Sequence, residues 1–250
     1  MIAYVVRMPL TFPSHAAAVL PLKLWRPRWF DGVALVVGST APDLPYATEP
    51  YIHFDAHSWA ALALYCVPVT VVLSWLVRRA APAVAAHVPV LAEYAVLGRH
   101  RHRWYIVLTS AYLGALSHRL WDLVTHASMD HGTVYFPWLG AEAFAGQPWW
   151  RVLHYGSTVV GAVVVAVLAL RIRRTGWLLE GEVPLPAAAP WSGRFWVVAG
   201  VVWTVGVAVQ PFLAMATAPQ VIFVRLLAVF AAGLLAASAF SGVRVGHTPT

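Results

Sequence analysis

The sequence predicts an all-α membrane protein: a polytopic transmembrane helical bundle with about five full spans, preceded by a short N-terminal helical hairpin. Three observations predict this class. Of 250 residues, 60% are hydrophobic and 11% are charged, and the mean hydropathy is +0.68, whereas soluble domains carry roughly 25% charged residues. Several apolar runs reach about twenty residues, the length that crosses a bilayer core as a helix. Arginine clusters flank these runs, as in membrane proteins with a fixed orientation.

Two short apolar runs open the chain. The first ends at Trp25 and the second covers residues 30–41. Each is shorter than the about twenty residues that a helical span needs. A basic turn with Lys23, Arg26 and Arg28 separates them, and Pro42 ends the second run. The pattern predicts a re-entrant or tilted hairpin.

Five longer apolar segments follow, and each has the length of a membrane span. His57 and Ser58 open the first of them, which ends before Arg78 and Arg79. The connections are polar, basic or rich in proline, and the one after Arg79 is predicted as a loop with a surface helix. The predicted spans are residues 57–77, 104–126, 152–170, 195–214 and 221–240.

The net charge is +7. Because the basic residues flank apolar segments, they are explained by the orientation of the protein in the membrane, and nucleic acid is not an expected partner. The positive-inside rule places the arginine-rich connections in the cytoplasm. Most carboxylates then face the opposite side, together with His15, His57 and His118. We therefore expect one integral domain, residues 1–250, in a bacterial cytoplasmic membrane. The cytoplasmic arginines are Arg78, Arg79, Arg99, Arg101, Arg103, Arg171, Arg173, Arg174, Arg194 and Arg244.

The span at residues 104–126 carries His118, Asp122 and His126 at every fourth position. Residues with this spacing share one face of a helix. Ionisable groups inside a membrane are costly and indicate a functional site by default. A structural hydrogen bond between helices is the competing interpretation of the His118–Asp122 pair.

Imidazoles and carboxylates together are ligands for a divalent metal ion, zinc in the first place and manganese or magnesium as alternatives. His118 and Asp122 supply two ligands from one helix, and His15, Asp43 and His57 complete the predicted set on the same side of the membrane. His126 and Asp130 are then candidates for orienting a ligand or for general acid–base catalysis.

Two arginines lie within predicted spans, where a bare guanidinium is costly. Arg119 and Arg225 are therefore candidates for binding an anionic group of the substrate. The competing interpretations are an ion pair between Arg119 and Asp122, and an Arg225 side chain that extends to the membrane interface.

Several short motifs occur over most of the first two-thirds of the chain: Met8-Pro-Leu-Thr-Phe-Pro-Ser-His15, Gly38-Ser-Thr-Ala-Pro-Asp43, His57-Ser58, Gly114-Ala-Leu-Ser-His118, Trp121-Asp122, Thr125-His126 and Tyr155-Gly156-Ser157. In this series of motifs the chain resembles the DUF4184 family of bacterial membrane proteins.

The order of these motifs is also similar to that of YdjM-type inner-membrane proteins, which are described as metal-dependent hydrolases. This similarity implies a metal held by His15, Asp43, His57, His118 and Asp122. The YdjM pattern tends to have a second acidic residue after the Pro-Asp pair. Here Leu44 and Pro45 follow instead, which argues against a dinuclear site.

The leading hypothesis is a metal-dependent membrane enzyme that hydrolyses a lipid or lipid-linked ester or phosphoester on the extracytoplasmic side. The alternative is a magnesium-dependent prenyl-diphosphate enzyme, a terpene cyclase or prenyltransferase, in which Asp43, Asp122 and Asp130 bind the metal–diphosphate. A third class is a transporter or assembly protein that relays ions or protons. The sequence leaves open the substrate, the oligomeric state and the role of residues 195–250.

Overall fold

The computed structural model describes residues 12–99, 101–127, 134–179 and 193–241. This part of the chain is almost entirely helical, which confirms the all-α prediction. Its only sheet is a small antiparallel pair, β1 (Glu142–Phe144) and β2 (Gln147–Pro148). The helices are α1 (Phe12–Trp25), α2 (Gly32–Gly38), α3 (Trp59–His87), α4 (Trp104–Thr125), α5 (Trp149–Thr175), α6 (Gly193–Val209) and α7 (Pro219–Phe240), with 3₁₀ segments at Ala41–Thr48, Pro89–Gly98, Pro137–Gly140, Trp177–Leu179 and Gln210–Phe212.

Four segments are long and apolar enough to cross a membrane: α3, α5, α7, and α6 continued to Phe212. Membrane-spanning helices are thus confirmed. The remaining predicted span forms as α4, a helix of 22 residues. Because of its polar residues, α4 is not among the four helices that are apolar enough to cross a membrane. The number of five spans therefore remains a prediction.

The largest boundary difference from the prediction lies at the end of α3. Helix α3 does not end at Arg79 but continues to His87. The residues that follow Arg79 are mainly alanine and valine, and alanine favours helix more than any other residue. The 3₁₀ segment Pro89–Gly98 follows where a surface helix was predicted.

The N-terminal hairpin forms as predicted from two short helices. Lys23 closes the turn between them, because its Nζ donates to the carbonyl oxygens of Pro27 at 2.6 Å and Phe30 at 2.9 Å. Asp31 caps α2 by accepting hydrogen bonds from the backbone N–H groups of Val33 and Ala34. Its depth in the membrane stays a prediction.

The chain divides into two compact units, each assembled from separate parts of the sequence. The first contains residues 1–45, 52–71 and 102–168, and the second contains residues 46–51, 72–101 and 169–250. These two units do not test the expectation that residues 1–250 form one integral membrane domain, which remains a prediction.

In the first unit, α2 and α4 approach each other at two glycines. A Cβ atom at Gly38 would lie 2.5 Å from the carbonyl oxygen of Ala111, and one at Gly114 would collide with the carbonyl oxygen of Leu35. Small residues permit such close helix crossings. This crossing places His118, one turn after Gly114, beside the chain that leaves α2.

In the second unit, α6 and α7 pack against each other around a core of Phe195, Ala199 and Ala237. The ring of His87 stacks on Phe195 with centroids 4.1 Å apart. These contacts account for His87 as a core residue.

Candidate metal centre

Four separate segments of the first unit bring polar side chains to one place. Helix α1 contributes His15, the 3₁₀ segment Ala41–Thr48 contributes Asp43, the residues before α3 contribute His57, and α4 contributes His118 and Asp122. His15, Asp43, His118 and Asp122 are each at least 92% buried. The structure therefore brings together all five residues that the sequence singled out as metal ligands.

Local hydrogen bonds hold His57 at the start of α3. Its backbone N–H donates to the Asp55 carboxylate at 3.0 Å. The hydroxyl of Ser58 caps the helix by accepting from the Ala61 N–H at 3.3 Å. A π-helical turn follows at Leu62–Cys66, a feature that often accompanies functional sites.

Four atoms of this cluster lie close together: His57 Nε2, His118 Nε2, Asp43 Oδ1 and Asp122 Oδ2, with each histidine nitrogen within 3.6 Å of the other three atoms. His57 Nε2 lies 3.3 Å from His118 Nε2, 3.3 Å from Asp43 Oδ1 and 3.6 Å from Asp122 Oδ2. His118 Nε2 lies 3.5 Å from Asp43 Oδ1 and 3.1 Å from Asp122 Oδ2. Zinc bonds of about 2.0–2.1 Å place tetrahedral ligand atoms about 3.3 Å apart. The donor set fits a divalent cation.

The orientation of His118 favours ligation through Nε2. Its Nδ1–H donates to the carbonyl oxygen of Ser39 at 2.8 Å, so a neutral ring presents the lone pair of Nε2 to the cluster. Metal-binding histidines are commonly fixed by such a bond to a carbonyl. A lone pair on Nε2 beside buried carboxylate oxygens favours a cation bound between them.

His15 lies on another side of the cluster. Its ring stacks on that of His118 with centroids 3.8 Å apart, and its Nε2 lies 3.7 Å from Oδ1 of Asp122. His15, Asp43 and His118 also offer ligand atoms that lie within 4.8 Å of one another. The neighbouring Ser14 hydroxyl donates to the Ser157 carbonyl at 2.7 Å and so ties α1 to α5.

His126 stands just beyond the end of α4. The helix ends at Thr125, and His126 has an extended backbone whose N–H donates to the Asp122 carbonyl. Its Nδ1 nevertheless lies 3.3 Å from Asp122 Oδ1, with 27% of the side chain exposed. His126 thus contacts Asp122 while part of its own side chain remains exposed to solvent.

His154 is part of this neighbourhood although the sequence analysis did not single it out. It lies on α5, is 95% buried, and packs edge-on against His126 with centroids 4.8 Å apart. An ionisable residue near the start of an apolar span is the signal that could have found it, and it directly precedes the Tyr155-Gly156-Ser157 motif.

The other predicted residues lie elsewhere. Within the described residues, Arg119 does not pair with Asp122: it donates to the Tyr135 hydroxyl at 2.8 Å and lies 5.7 Å from the Trp59 ring. Asp130 lies outside the described residues.

Arg225 belongs to the second unit and is 96% buried. It donates to the backbone carbonyls of Ala47 and Ala214 at 3.1 and 2.9 Å, and to that of Glu49. These carbonyl groups accept hydrogen bonds from the buried guanidinium, which is the arrangement expected of a structural residue. Its predicted role in substrate binding is not tested by these contacts.

No curated protein and no solved structure matches this chain. A family model described as "Domain of unknown function (DUF4184)" matches residues 8–243. That match covers nearly the whole chain, including every part of the cluster, and the protein therefore belongs to the DUF4184 family.

Proposed function

We propose that this protein is a metal-dependent membrane enzyme that hydrolyses an ester or phosphoester of a lipid or lipid-linked substrate. The observation that carries the proposal is the buried cluster in which the Nε2 atoms of His57 and His118 lie within 3.1–3.6 Å of each other and of oxygens of Asp43 and Asp122. Zinc is the preferred ion, and manganese or magnesium are the alternatives.

The protein residues supply the charge and the orientation that such an ion needs. Asp43 and Asp122 bring two negative charges, and the imidazoles of His57 and His118 bring neutral nitrogen donors. Ser39 fixes the His118 ring. When bound in such a set, the ion acts as a Lewis acid that polarises a carbonyl or phosphoryl oxygen and activates water.

His126 is the candidate for holding or transferring a proton, because it combines contact with Asp122 with partial exposure. A general acid or base must reach both the reacting group and a proton donor or acceptor outside the site. Asp130 remains a second candidate for this role from the sequence.

Arg119 is the candidate for binding an anionic group of the substrate. Its Nε is shielded from solvent and makes no hydrogen bond within the described part of the chain. Its guanidinium lies near the aromatic faces of Trp59 and Tyr135. Guanidinium groups bind carboxylate and phosphate in a bidentate manner, so a lipid with an anionic head group is the expected substrate.

The proposed location is the extracytoplasmic side of a bacterial cytoplasmic membrane. His57 lies just before α3, and His154 lies in the second turn of α5. Arginines occur later along both helices, at Arg78 and Arg79 in α3 and at Arg173 and Arg174 in α5. The positive-inside rule puts the arginine-bearing parts in the cytoplasm and the cluster on the other side.

Metal analysis of the purified full chain, combined with hydrolysis assays on ester and phosphoester lipids, tests the proposal. We expect bound zinc and hydrolysis in the wild type, and loss of hydrolysis with a reduced zinc content in His118→Ala and Asp122→Ala. His53→Ala is the matched control, since His53 is an exposed histidine of the same unit. Absence of bound metal, together with unaltered activity in the two variants, would contradict the proposal. A hydrocarbon product released from a prenyl diphosphate would favour the alternative enzyme class.

A further inference from the structure

The two carboxylate oxygens of Asp122 face two different pairs of imidazoles. Oδ2 lies 3.1 Å from His118 Nε2 and 3.6 Å from His57 Nε2. Oδ1 lies 3.3 Å from His126 Nδ1 and 3.7 Å from His15 Nε2. Oδ2 thus faces His118 and His57, and Oδ1 faces a second pair of imidazole nitrogens, of which His15 also lies close to Asp43 and His118.

We infer that a second divalent cation binds on the Oδ1 side of Asp122, held by that oxygen together with His15 Nε2 and His126 Nδ1. This inference rests on the proposed function, because it places the second ion beside the first. Asp122 then bridges two cations, an arrangement found in two-metal hydrolytic sites.

The surroundings of Asp122 Oδ1 favour the binding of a second cation. The atom is buried, and no N–H or O–H group of the described residues is well aligned to donate to it, although His126 Nδ1 lies at 3.3 Å. A buried carboxylate oxygen without a donor is costly, and a cation removes this cost. The two distances from Oδ1, 3.3 and 3.7 Å, lie near the value of about 3.3 Å that zinc bond lengths give for neighbouring ligand atoms.

Helix α5 packs against residues of the second donor set. His154 packs edge-on against His126, with an interplanar angle of 88°. One turn further, the Ser157 carbonyl accepts from Ser14, the residue before His15. Both contacts come from α5, which thus touches His126 directly and anchors the residue before His15. Histidines that bind metals are usually fixed by such surrounding residues.

The arrangement needs no second acidic residue after Asp43. The segment Leu44-Pro45 argues against a dinuclear site only if the bridging carboxylate comes from that segment. Here Asp122 is the bridge, and His126 supplies the donor that a second acidic residue would otherwise provide.

Zinc stoichiometry of the full chain in detergent tests the inference without any activity assay. The protein is stripped with a chelator, titrated with zinc, and analysed by calorimetry and by elemental analysis after desalting. We expect two zinc ions per chain in the wild type, one in His126→Ala, none in Asp122→Ala and two in the control His53→Ala. Circular dichroism of each variant reports whether the helices are retained.

The outcomes separate this inference from the proposed function. One zinc ion in both the wild type and His126→Ala would overturn the second site and leave the first in place. Two ions in His126→Ala would also overturn it, whereas no ion in any protein would overturn both proposals. If His126→Ala loses helical content, His15→Gln provides the same comparison, with one ion expected and two contradicting the inference.

Discussion

The two units bury charge in different ways. In the second unit, Arg225 is surrounded by backbone carbonyls of Ala47, Glu49 and Ala214, which use its N–H donors directly. In the first unit, Asp43 and Asp122 face imidazoles, and no N–H or O–H group of the described residues is well aligned to donate to Oδ1 of Asp122. A charge satisfied by backbone groups stabilises a fold by itself. Buried carboxylates beside imidazole nitrogens favour the binding of a cation. The comparison therefore distinguishes Arg225, a structural residue, from Asp43 and Asp122, which belong to a candidate site.

The largest expected effect comes from Asp122→Asn, which keeps the shape of the side chain and removes its charge. We expect zinc affinity to fall by more than about 100-fold, beyond the roughly 10–100-fold loss that follows removal of groups that only orient a ligand. Calorimetric zinc titration measures this. Wild-type affinity in the variant would contradict a ligand role for Asp122.

Arg225→Met should destabilise the protein without affecting zinc. The change removes the donor from carbonyl groups of three partly buried or exposed residues, and each carbonyl that stays unsatisfied costs up to about 1–3 kcal/mol. We expect a clear drop in the thermal unfolding temperature with unchanged zinc stoichiometry, and a smaller drop in Arg225→Lys, whose ammonium has fewer donors. Reduced zinc binding in a folded Arg225→Met protein would place Arg225 in the function of the site.

Gly114→Ala should disturb both the fold and the site of the first unit. The added Cβ would collide with the Leu35 carbonyl, and overpacking of this kind costs about 1–3 kcal/mol. Because His118 lies one turn further along α4, we expect weaker zinc binding as well as a lower unfolding temperature. Gly156→Ala is the control, since a Cβ there meets nothing within 4 Å; equal effects of the two changes would contradict the role of the crossing.

The smallest expected effect is that of Arg119→Gln, which removes a charge and leaves the metal ligands intact. We expect unchanged zinc binding, unchanged stability within about 0.5 kcal/mol and a raised KM for anionic lipid substrates with little change in kcat. A fall in kcat without a change in KM would argue against a role for Arg119 in substrate binding.

The periodicity and length of the apolar runs were sufficient to predict the helices and the polar face of α4, because both depend on local sequence. The sequence also predicted that His15, Asp43 and His57 lie near that face, because all three were assigned to the same side of the membrane. The distances among them could not be predicted, since they depend on the close crossing of α2 and α4.

The features that the sequence did not predict depend on contacts between distant segments. His154 lies in an apolar helix that has no other histidine and no carboxylate, and its packing against His126 connects it with the cluster. The carbonyl environment of Arg225 comes from backbone groups, which no side-chain pattern shows. Helix α3 continues past Arg79 because helix propensity in the alanine-rich segment outweighs the charged pair.

Zinc titration of the chelator-treated wild type beside Asp122→Asn tests the central claim most directly. The claim is that the buried His/Asp cluster of the first unit binds divalent cations. We expect saturable, chelator-reversible zinc binding to the wild type that raises its unfolding temperature, and neither effect in the folded variant. Wild-type protein that binds no zinc, manganese or magnesium, or a variant that binds zinc as the wild type does, would contradict the claim.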